Sequence, residues 1–167
     1  MGEGNNFGHV SRGIYRSAFP NAEIHAQHLN GIKTILKLVD TPYPCPDEDF
    51  IASMGIKVHT TAIRTTKVAM DETTIQDFSV SINQILTLLI NTENHPVLVH
   101  CNQGKHRTGC VIGCFRRLQL WDIDDIIAEY RQYAGPKARP LDESLIRAYE
   151  PGDLWKTAQE ANVSSWS

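Results

Sequence analysis

Apolar residues recur along the chain at two spacings, so that strand-like segments alternate with helix-like segments. Three short runs rich in aliphatic residues predict strands at 34–39, 56–63 and 96–100. The run from Pro96 to His100 is very apolar, which is typical of a strand at the centre of a sheet that is covered on both faces. Ile14 to Arg16 predicts a further, short edge strand.

Helical spacing is clearest between residues 75 and 89, where apolar side chains recur every three or four positions. Thr73 and Gln76 have the spacing of a capping box, which predicts that this helix starts at Thr73 and leaves Asp71 in the preceding loop. Further helices are predicted at 111–118, 123–133 and 142–149. Strands alternating with helices, followed by a helical C-terminal half, predict an α/β fold with a single central, mostly parallel sheet flanked by helices.

The bulk composition is that of one globular domain. The chain has 167 residues, of which 41% are apolar and 21% are charged. We expect the domain to cover residues 9–160, between a flexible N-terminus at 1–8 and a frayed tail at 161–167. A net charge of -3 provides no global basic field, so we expect no nucleic-acid partner.

The setting of the protein is predicted from what the sequence lacks. No apolar run approaches membrane-spanning length, and the first residues have no signal-peptide pattern, so we expect a cytoplasmic protein, with the nucleus as the alternative. Thiols stay reduced in both compartments, so the four cysteines predict one reactive thiol and packing rather than a disulfide framework. We expect a monomer without a metal or other cofactor.

The segment with the clearest chemistry runs from His100 to Gly109, between the apolar strand and the next helix. At such a junction consecutive backbone N–H groups can curl around an anion, and the helix N-terminus adds positive potential. Glycine permits the tight curvature that this requires. The segment therefore predicts an anion-binding loop formed by Asn102, Gln103, Gly104, Lys105, His106, Arg107 and Thr108.

Cys101 opens this loop, where its sulfur would face the same N–H groups. Such groups favour the thiolate, which is the nucleophilic form of cysteine. Arg107 lies six residues further on, and its planar fork can bind two phosphate oxygens throughout the transfer. Thr108 can donate its hydroxyl to the departing sulfur, and we expect His100 to buttress the loop. The set predicts phosphoryl transfer through a phosphocysteine, with Cys101 and Arg107 as catalytic residues.

Two other interpretations of the loop fail on spacing. An ATP-binding Walker loop needs glycine where Val99 stands, and Ser or Thr where His106 follows the lysine. A zinc site would be expected to contain a Cys-x-x-Cys pair, which the chain lacks. Cys110 and Cys114 lie one helical turn apart among apolar neighbours, so core packing is their expected role.

The leaving oxygen needs a proton, and the predicted donor is Asp71, thirty residues before Cys101. A loop at this position can fold over the mouth of the phosphate site. The alternative role for Asp71 is a helix-start carboxylate that the macrodipole favours. A phosphoanhydride substrate weakens the need for an acid, because phosphate leaves more easily than an alkoxide. The other candidate acids are Asp40, Glu72 and Asp77.

The loop sequence H-C-N-Q-G-K-H-R-T-G-C resembles the protein tyrosine phosphatase superfamily and, more narrowly, the plant and fungal atypical dual-specificity phosphatases. The resemblance covers roughly residues 5 to 150 and includes N-F at 6–7, Y-R-S at 15–17, Y-P at 43–44 and K-A-R at 137–139. The chain departs from this group at Gln103, where several members carry Arg or Lys. It departs again between Arg64 and Met70, where only Lys67 matches.

The resemblance implies a dual-specificity-type phosphatase domain with a shallow pocket. It also implies hydrolysis of the β-phosphate of 5-diphosphoinositol polyphosphates without a metal ion. Basic residues beyond those that one phosphate requires agree with an inositol polyphosphate substrate: Lys105 and His106 in the loop, and two expected rim pairs, Lys137 with Arg139 and Arg64 with Lys67. The alternatives are a protein tyrosine or dual-specificity phosphatase, a phosphoinositide phosphatase, and a catalytically weak polyanion-binding module.

Overall fold

The computed structural model describes residues 5–63 and 71–167, so the predicted rim residues Arg64 and Lys67 lie outside the described residues. Its strands are β1 (Gly8–Ser11), β2 (Ile14–Ser17), β3 (Thr34–Lys37), β4 (Lys57–Thr60) and β5 (Val97–His100). They form one sheet in the order β1-β2-β5-β3-β4. β1 is antiparallel to β2, and the other neighbours are parallel, which confirms the predicted sheet.

The register of the sheet brings the ends of its parallel strands to one edge. His100 pairs with Ser17 on one side and with Lys37 on the other. Lys37 in turn pairs with Thr60. Residues that follow β5 therefore emerge at the centre of this edge, where ligands of open α/β sheets bind.

Seven α-helices surround the sheet within the described residues: α1 (Ala22–Leu29), α2 (Cys45–Ser53), α3 (Glu72–Leu89), α4 (Arg107–Leu118), α5 (Ile123–Ala134), α6 (Pro140–Ala148) and α7 (Leu154–Glu160). Alternate residues of β5 face opposite sides, as the two-residue period of a strand requires. Leu98 packs with Leu29 and Ile51 of α1 and α2, whereas Val97 and Val99 pack in the larger cluster with α3, α4, α6 and α7. No helix among the described residues is both long and apolar enough to cross a bilayer.

The start of α3 differs from the prediction. The N-cap is Asp71, not Thr73, and its carboxylate accepts a hydrogen bond of 2.7 Å from the N–H of Thr74. An N-cap carboxylate satisfies a free N–H group and also gains from the helix dipole, so Asp71 is the better cap. The capping box of Thr73 and Gln76 was therefore wrong.

Residues of both predicted terminal segments make contacts with the rest of the domain where the structure describes them. In the tail at 161–167, Val163 is fully buried, and the side-chain amide of Gln119 donates to the carbonyls of Val163 and Trp166. In the predicted flexible segment 1–8, the carbonyl of Asn5 accepts from the N–H of Ala18 at 2.6 Å, and β1 already starts at Gly8. These contacts hold residues 5–8 and the C-terminal tail on the domain, because they satisfy backbone groups and bury apolar surface.

Candidate active site

The connection between β5 and α4 forms the candidate site. β5 ends at His100 and α4 begins at Arg107, so the connecting loop comprises residues 101–106. The loop is shorter than the segment singled out in the sequence, and Arg107 and Thr108 lie in the first turn of α4. The free N–H groups of that turn face the same region as the loop, and together they can bind an anion.

Cys101 is the first residue of the loop, and only 4% of its surface is exposed. The N–H of Gly104 donates to its sulfur at 3.2 Å, which is the predicted relation between the thiol and a loop amide. Gly104 has a φ of +70°, and a Cβ there would lie 2.8 Å from the backbone of Ser17 and Ala18. Only glycine allows this approach, so the curvature that turns the amide toward Cys101 depends on it.

His100 supports the loop from below. Its Nδ1 is 2.9 Å from the carbonyl oxygen of Cys101, so this nitrogen carries the proton. Burial, together with a smaller contribution from the charge of the nearby Lys37, lowers the pKa of His100 to about 4. The ring is therefore neutral at pH 7, and its Nε2 accepts a hydrogen bond of 2.6 Å from the hydroxyl of Tyr43. This chain of two hydrogen bonds fixes the peptide that carries the nucleophile.

The side chain of Thr108 is fully buried behind the loop. Within the described part of the chain, its hydroxyl has no hydrogen-bond partner. An unpaired buried hydroxyl is costly unless a ligand or reacting group uses it. Donation to the departing sulfur stays the predicted role of Thr108.

A cavity of about 250 Å³ opens above the sulfur. Its lining combines the thiol with amide and basic side chains: Cys101, Asn102, Gln103, His106, Arg107, Lys137 and Arg139. The structure therefore brings together most of the predicted binding residues, including the rim pair from the segment between α5 and α6. Lys105 is half-exposed and is not part of this lining.

Two contacts hold the rim pair beside the loop. The Nε2 of His106 donates to the carbonyl of Lys137 at 2.7 Å. The hydroxyl of Tyr130 accepts from the N–H of Arg139 at 3.0 Å and donates to the buried carboxylate of Asp142 at 2.6 Å. Burial and the hydrogen bond to Asp142 raise the pKa of Tyr130, so it remains a donor. The basic rim is thus fixed at both ends by protein contacts.

Arg107 also borders a second hollow of about 500 Å³, on the side of β3. The exposed residues Asp40 and Asn102 and the buried Ile63 are among the other residues that line it. Asp40 is therefore the alternative acid that the structure places near Arg107.

Asp71, the predicted general acid, is engaged as the cap of α3. Its hydrogen bonds to Thr74 lower its pKa below the usual aspartate value. A general acid working near neutral pH needs the opposite shift. Neither hollow beside Arg107 includes Asp71 in its lining. The acid role of Asp71 stays a prediction, and the contacts seen here favour the capping role.

The other two cysteines of this region differ from Cys101. Cys110 and Cys114 are fully buried in α4, and burial raises the pKa of each thiol. Both stay protonated at neutral pH and act as small apolar side chains, as expected. The described residues contain no group of three or more metal-ligating side chains that could hold a metal ion.

Sequence reasoning missed three residues that contact the loop or its support: Asn6, Arg16 and Tyr43. Each belongs to a family motif noted in the sequence, but no local pattern assigns chemistry to them. Their contacts join positions that are 57 to 98 residues apart. Only the folded chain reveals such contacts.

Comparison with known proteins agrees with this geometry. The chain is 39% identical over 161 residues to inositol diphosphatase SIW14 of Saccharomyces cerevisiae, covering 94% of this chain and 55% of that relative. The chain thus spans about half the length of the yeast protein. It is also 37% identical over 150 residues to inositol diphosphatase DSP2 of Oryza sativa, covering 89% of this chain and 72% of the relative.

The fold matches solved structures as well. The crystal structure of the core catalytic domain of the PP-IP phosphatase SIW14 from S. cerevisiae, in complex with citrate, superposes with a TM-score of 0.84 at 36% identity, covering 97% of this chain and 96% of that chain. TpbA of P. aeruginosa shares the fold alone, with a TM-score of 0.74 at 20% identity over 95% and 94% of the two chains. The model of the tyrosine phosphatase family matches residues 3–167. The chain therefore belongs to the tyrosine phosphatase family and is a cysteine-based phosphatase.

Proposed function

We propose that the protein hydrolyses the β-phosphate of 5-diphosphoinositol polyphosphates through a phosphocysteine at Cys101. The observation that carries this proposal is the cavity above the sulfur. Its lining contains Arg107 and, at the rim, the basic pair Lys137 and Arg139. One phosphate needs the loop and Arg107, and the rim pair offers charge for further phosphates on the same substrate. The names of the yeast and plant relatives agree with this substrate class.

The first step forms the covalent intermediate. The thiolate of Cys101 attacks the β-phosphorus, an S–P bond forms, and the bond to the bridging oxygen breaks. The electron pair of that bond stays on the inositol phosphate that leaves. Arg107 and the loop amides stabilise the charge on the transferred group, which supplies most of the catalysis in phosphoryl transfer.

The second step restores the enzyme. Water attacks the phosphorus of the phosphocysteine, and the S–P bond breaks with its electron pair staying on sulfur. Inorganic phosphate then departs and leaves the Cys101 thiolate regenerated on the enzyme. The buried hydroxyl of Thr108, which has no hydrogen-bond partner among the described residues, is suited to donate to the sulfur as charge returns to it. The leaving group of the first step is itself a phosphate, so this route depends less on a general acid than aryl or alkyl ester hydrolysis does. We propose that no metal ion takes part, and activity that persists in EDTA would support this.

A protein tyrosine phosphatase is the second candidate function, supported by the family to which the chain belongs. A pocket for phosphotyrosine would be expected to have aromatic walls. The lining of the cavity, among the described residues, carries amide and basic side chains and no phenyl or phenol ring. The observation favours a polyphosphate over a phosphotyrosine peptide.

A substrate panel tests the proposal. Phosphate release is measured from 5-diphosphoinositol pentakisphosphate, phosphotyrosine peptides, phosphoinositides and inorganic polyphosphate. We expect the highest kcat/KM for the diphosphoinositol substrate and no turnover by Cys101→Ser. A higher kcat/KM for phosphotyrosine or phosphoinositide overturns the substrate assignment. Binding without turnover of any substrate by the wild-type protein favours the polyanion-binding module.

The rim pair has its own control. Lys137→Ala with Arg139→Ala should raise KM for the diphosphoinositol substrate about tenfold and leave kcat/KM for p-nitrophenyl phosphate within about twofold. Lys156, an exposed lysine of α7 that is not part of the cavity lining, provides the matched control. Lys156→Ala should change neither value. An equal loss for both substrates in the rim variant would contradict the role of the pair.

We also propose a monomer in the cytoplasm or nucleus, with no nucleic-acid partner. The net charge of -3 supports the last point. Light scattering on the purified protein tests the oligomeric state. Fluorescence of a tagged chain in cells tests the location.

A further inference from the structure

Two residues of the N-terminal segment bind carbonyl groups on the outer side of the loop 101–106, hereafter the phosphate loop. The guanidinium of Arg16, on β2, donates to the carbonyl of Gly104 at 3.0 Å. The side-chain amide of Asn6 donates to the same carbonyl at 3.1 Å and, more weakly, to that of Gln103 at 3.4 Å. Two consecutive peptide groups of the loop are therefore bound at their oxygens.

These contacts determine where the N–H groups of the same peptides point. In a trans peptide the C=O and N–H bonds point in opposite directions. When a carbonyl is held on the outer side of the loop, the N–H of the same peptide therefore points toward the inner side. The peptide of Gln103 and Gly104 obeys this rule, since its N–H donates to the sulfur of Cys101 at 3.2 Å. The same geometry directs the N–H of Lys105 toward the anion site.

Asn6 is itself held firmly. Its amide also donates to the carbonyl of Tyr133 at 3.1 Å. The carbonyl of the preceding Asn5 accepts a hydrogen bond from the N–H of Ala18. The following Phe7 stacks on His28 with ring centroids 4.0 Å apart. Asn6 has a φ of +50°, a conformation that asparagine tolerates better than most residues. The segment around Asn6 thus acts as a strap across the outer side of the loop.

We propose that Asn6 and Arg16 are positioning residues that aim the loop amides at the thiolate and the bound phosphate, and that Arg16 adds a buried positive charge behind them. The inference deepens the proposed function and rests on it for the role of phosphate.

The surroundings of Arg16 support the electrostatic part. The side chain is 1% exposed, and its guanidinium lies 3.6 Å from the ring centroid of Tyr133. Burial lowers the pKa of Arg16 to about 10, so it remains charged at pH 7. Tyr133, Glu129 and Cys101 favour this charge, and Arg116 opposes it.

Arg16 also lacks a carboxylate partner within 4 Å among the described residues, where the two ion pairs are Arg116 with Glu129 and Arg131 with Glu143. A buried cation without a paired anion is unfavourable. An ionised Cys101 or a bound phosphate offsets that unfavourable charge, and the interaction favours the anion in return.

The test measures the ionised fraction of Cys101 without any substrate. Iodoacetamide alkylates the thiolate, and mass spectrometry of the peptide that contains Cys101 separates it from the exposed Cys45. The quantity is the ratio of the alkylation rate at pH 6 to the rate at pH 9. Arg16→Met keeps an unbranched apolar side chain against Tyr133 but removes charge and donors. We expect it to lower this ratio about tenfold and to weaken inhibition by inorganic phosphate by a similar factor.

Matched variants separate positioning from stability. Arg117→Met removes a half-buried arginine whose guanidinium binds carbonyls at the end of α6, so it should lower the Tm and leave the ratio unchanged. Asn6→Gly removes the amide and still accepts the positive φ, and it should lower the ratio about threefold. Asn162→Gly is its control, because Asn162 also has a positive φ, of +56°, but lies in the C-terminal segment. It should leave the ratio unchanged.

The outcomes are decisive in each direction. A folded Arg16→Met protein whose ratio stays within twofold of wild type overturns the role of Arg16. If Arg16→Met does not fold, an unchanged ratio in Asn6→Gly overturns the proposal for the strap. A wild-type Cys101 that reacts at pH 6 no faster than Cys45 overturns the whole inference. A reactive Cys101 in a protein that hydrolyses none of the panel overturns the proposed function alone.

Discussion

The phosphate loop has two faces, and they are encoded in different ways. The cavity face carries Cys101 and Arg107, which lie six residues apart in one continuous segment. The outer and lower contacts come from Asn6, Arg16 and Tyr43, in three segments distant from the loop. The chemistry is therefore local in the sequence, whereas the orientation of the amides that support it depends on the fold. Substitutions on the two faces should consequently fail in different ways.

The largest effect is expected on the cavity face. Arg107→Lys keeps the charge but loses the two-pronged geometry, so kcat should fall about 100- to 1000-fold. The free energy of unfolding should change little, because the described residues provide no hydrogen bond to hold this side chain. Steady-state kinetics and urea unfolding measure the two effects.

Arg117, ten residues further along α4, is the control, because its guanidinium binds carbonyls at the end of α6 rather than the cavity. Arg117→Lys should retain kcat. A near-normal kcat in Arg107→Lys would contradict its role in binding the transferred phosphate.

Gly104 joins the two faces, and Gly104→Ala should disturb both. An added Cβ would lie 2.8 Å from the backbone of Ser17 and Ala18, so the loop must shift away from Cys101. We expect about 100-fold lower kcat/KM and about 3 kcal/mol lower stability.

Gly55 has the same φ of +70° but nothing within 4 Å of the added carbon. Gly55→Ala therefore measures the backbone strain alone, about 1 kcal/mol, with unchanged activity. Equal effects of the two variants would show that the close approach of the loop to β2 has no role.

Below the loop, His100 should make stability depend on acid pH. Its pKa is about 4 in the folded protein and about 6.5 in the unfolded chain. Between these values the unfolded state binds more protons, so stability falls as pH decreases through this window, by up to about 3 kcal/mol. Urea unfolding at pH 7.5, 5.5 and 4.5 measures the loss.

His100→Asn keeps a donor for the Cys101 carbonyl and removes the titrating ring. The variant should be less stable at pH 7.5 because Tyr43 loses its acceptor, but the difference from wild type should shrink toward pH 4.5. A constant difference between wild type and His100→Asn would contradict the neutral buried ring.

The smallest effect is expected at Asp71, which lies on neither face. Asn caps helices as well as Asp does, so Asp71→Asn should change stability by less than about 0.5 kcal/mol. Hydrolysis of the diphosphoinositol substrate should stay within about twofold. Phenyl phosphate provides the contrast, because its phenolate is a poor leaving group. If Asp71 is the acid, hydrolysis of phenyl phosphate by Asp71→Asn falls about 100-fold. Equal effects of Asp71→Asn on the hydrolysis of both substrates would remove Asp71 as the acid.

The parts of the fold that could be predicted are those with local patterns. The apolar run of β5, the helical period of α3 and the glycine-containing loop each report burial or curvature over a few residues. The sheet and the position of Cys101 and Arg107 follow from them.

The parts that could not be predicted depend on contacts or on competition. Asp71 and Thr73 are both acceptable N-caps for α3 by sequence. Asp71 is the N-cap because its carboxylate accepts a hydrogen bond from the N–H of Thr74. Val163 belongs to a three-residue turn, which is too short to show a period. Arg16 looks like an ordinary strand residue until the fold places its guanidinium against Gly104. Long-range hydrogen bonds leave no spacing in the sequence.

The most direct measurement of the central claim is to trap the intermediate. Diphosphoinositol pentakisphosphate labelled in its β-phosphate is mixed with the protein, quenched during turnover and digested. The account predicts label on the peptide that contains Cys101, and none in Cys101→Ser. Steady release of labelled phosphate with no labelled Cys101 peptide, or label on another residue, would contradict it.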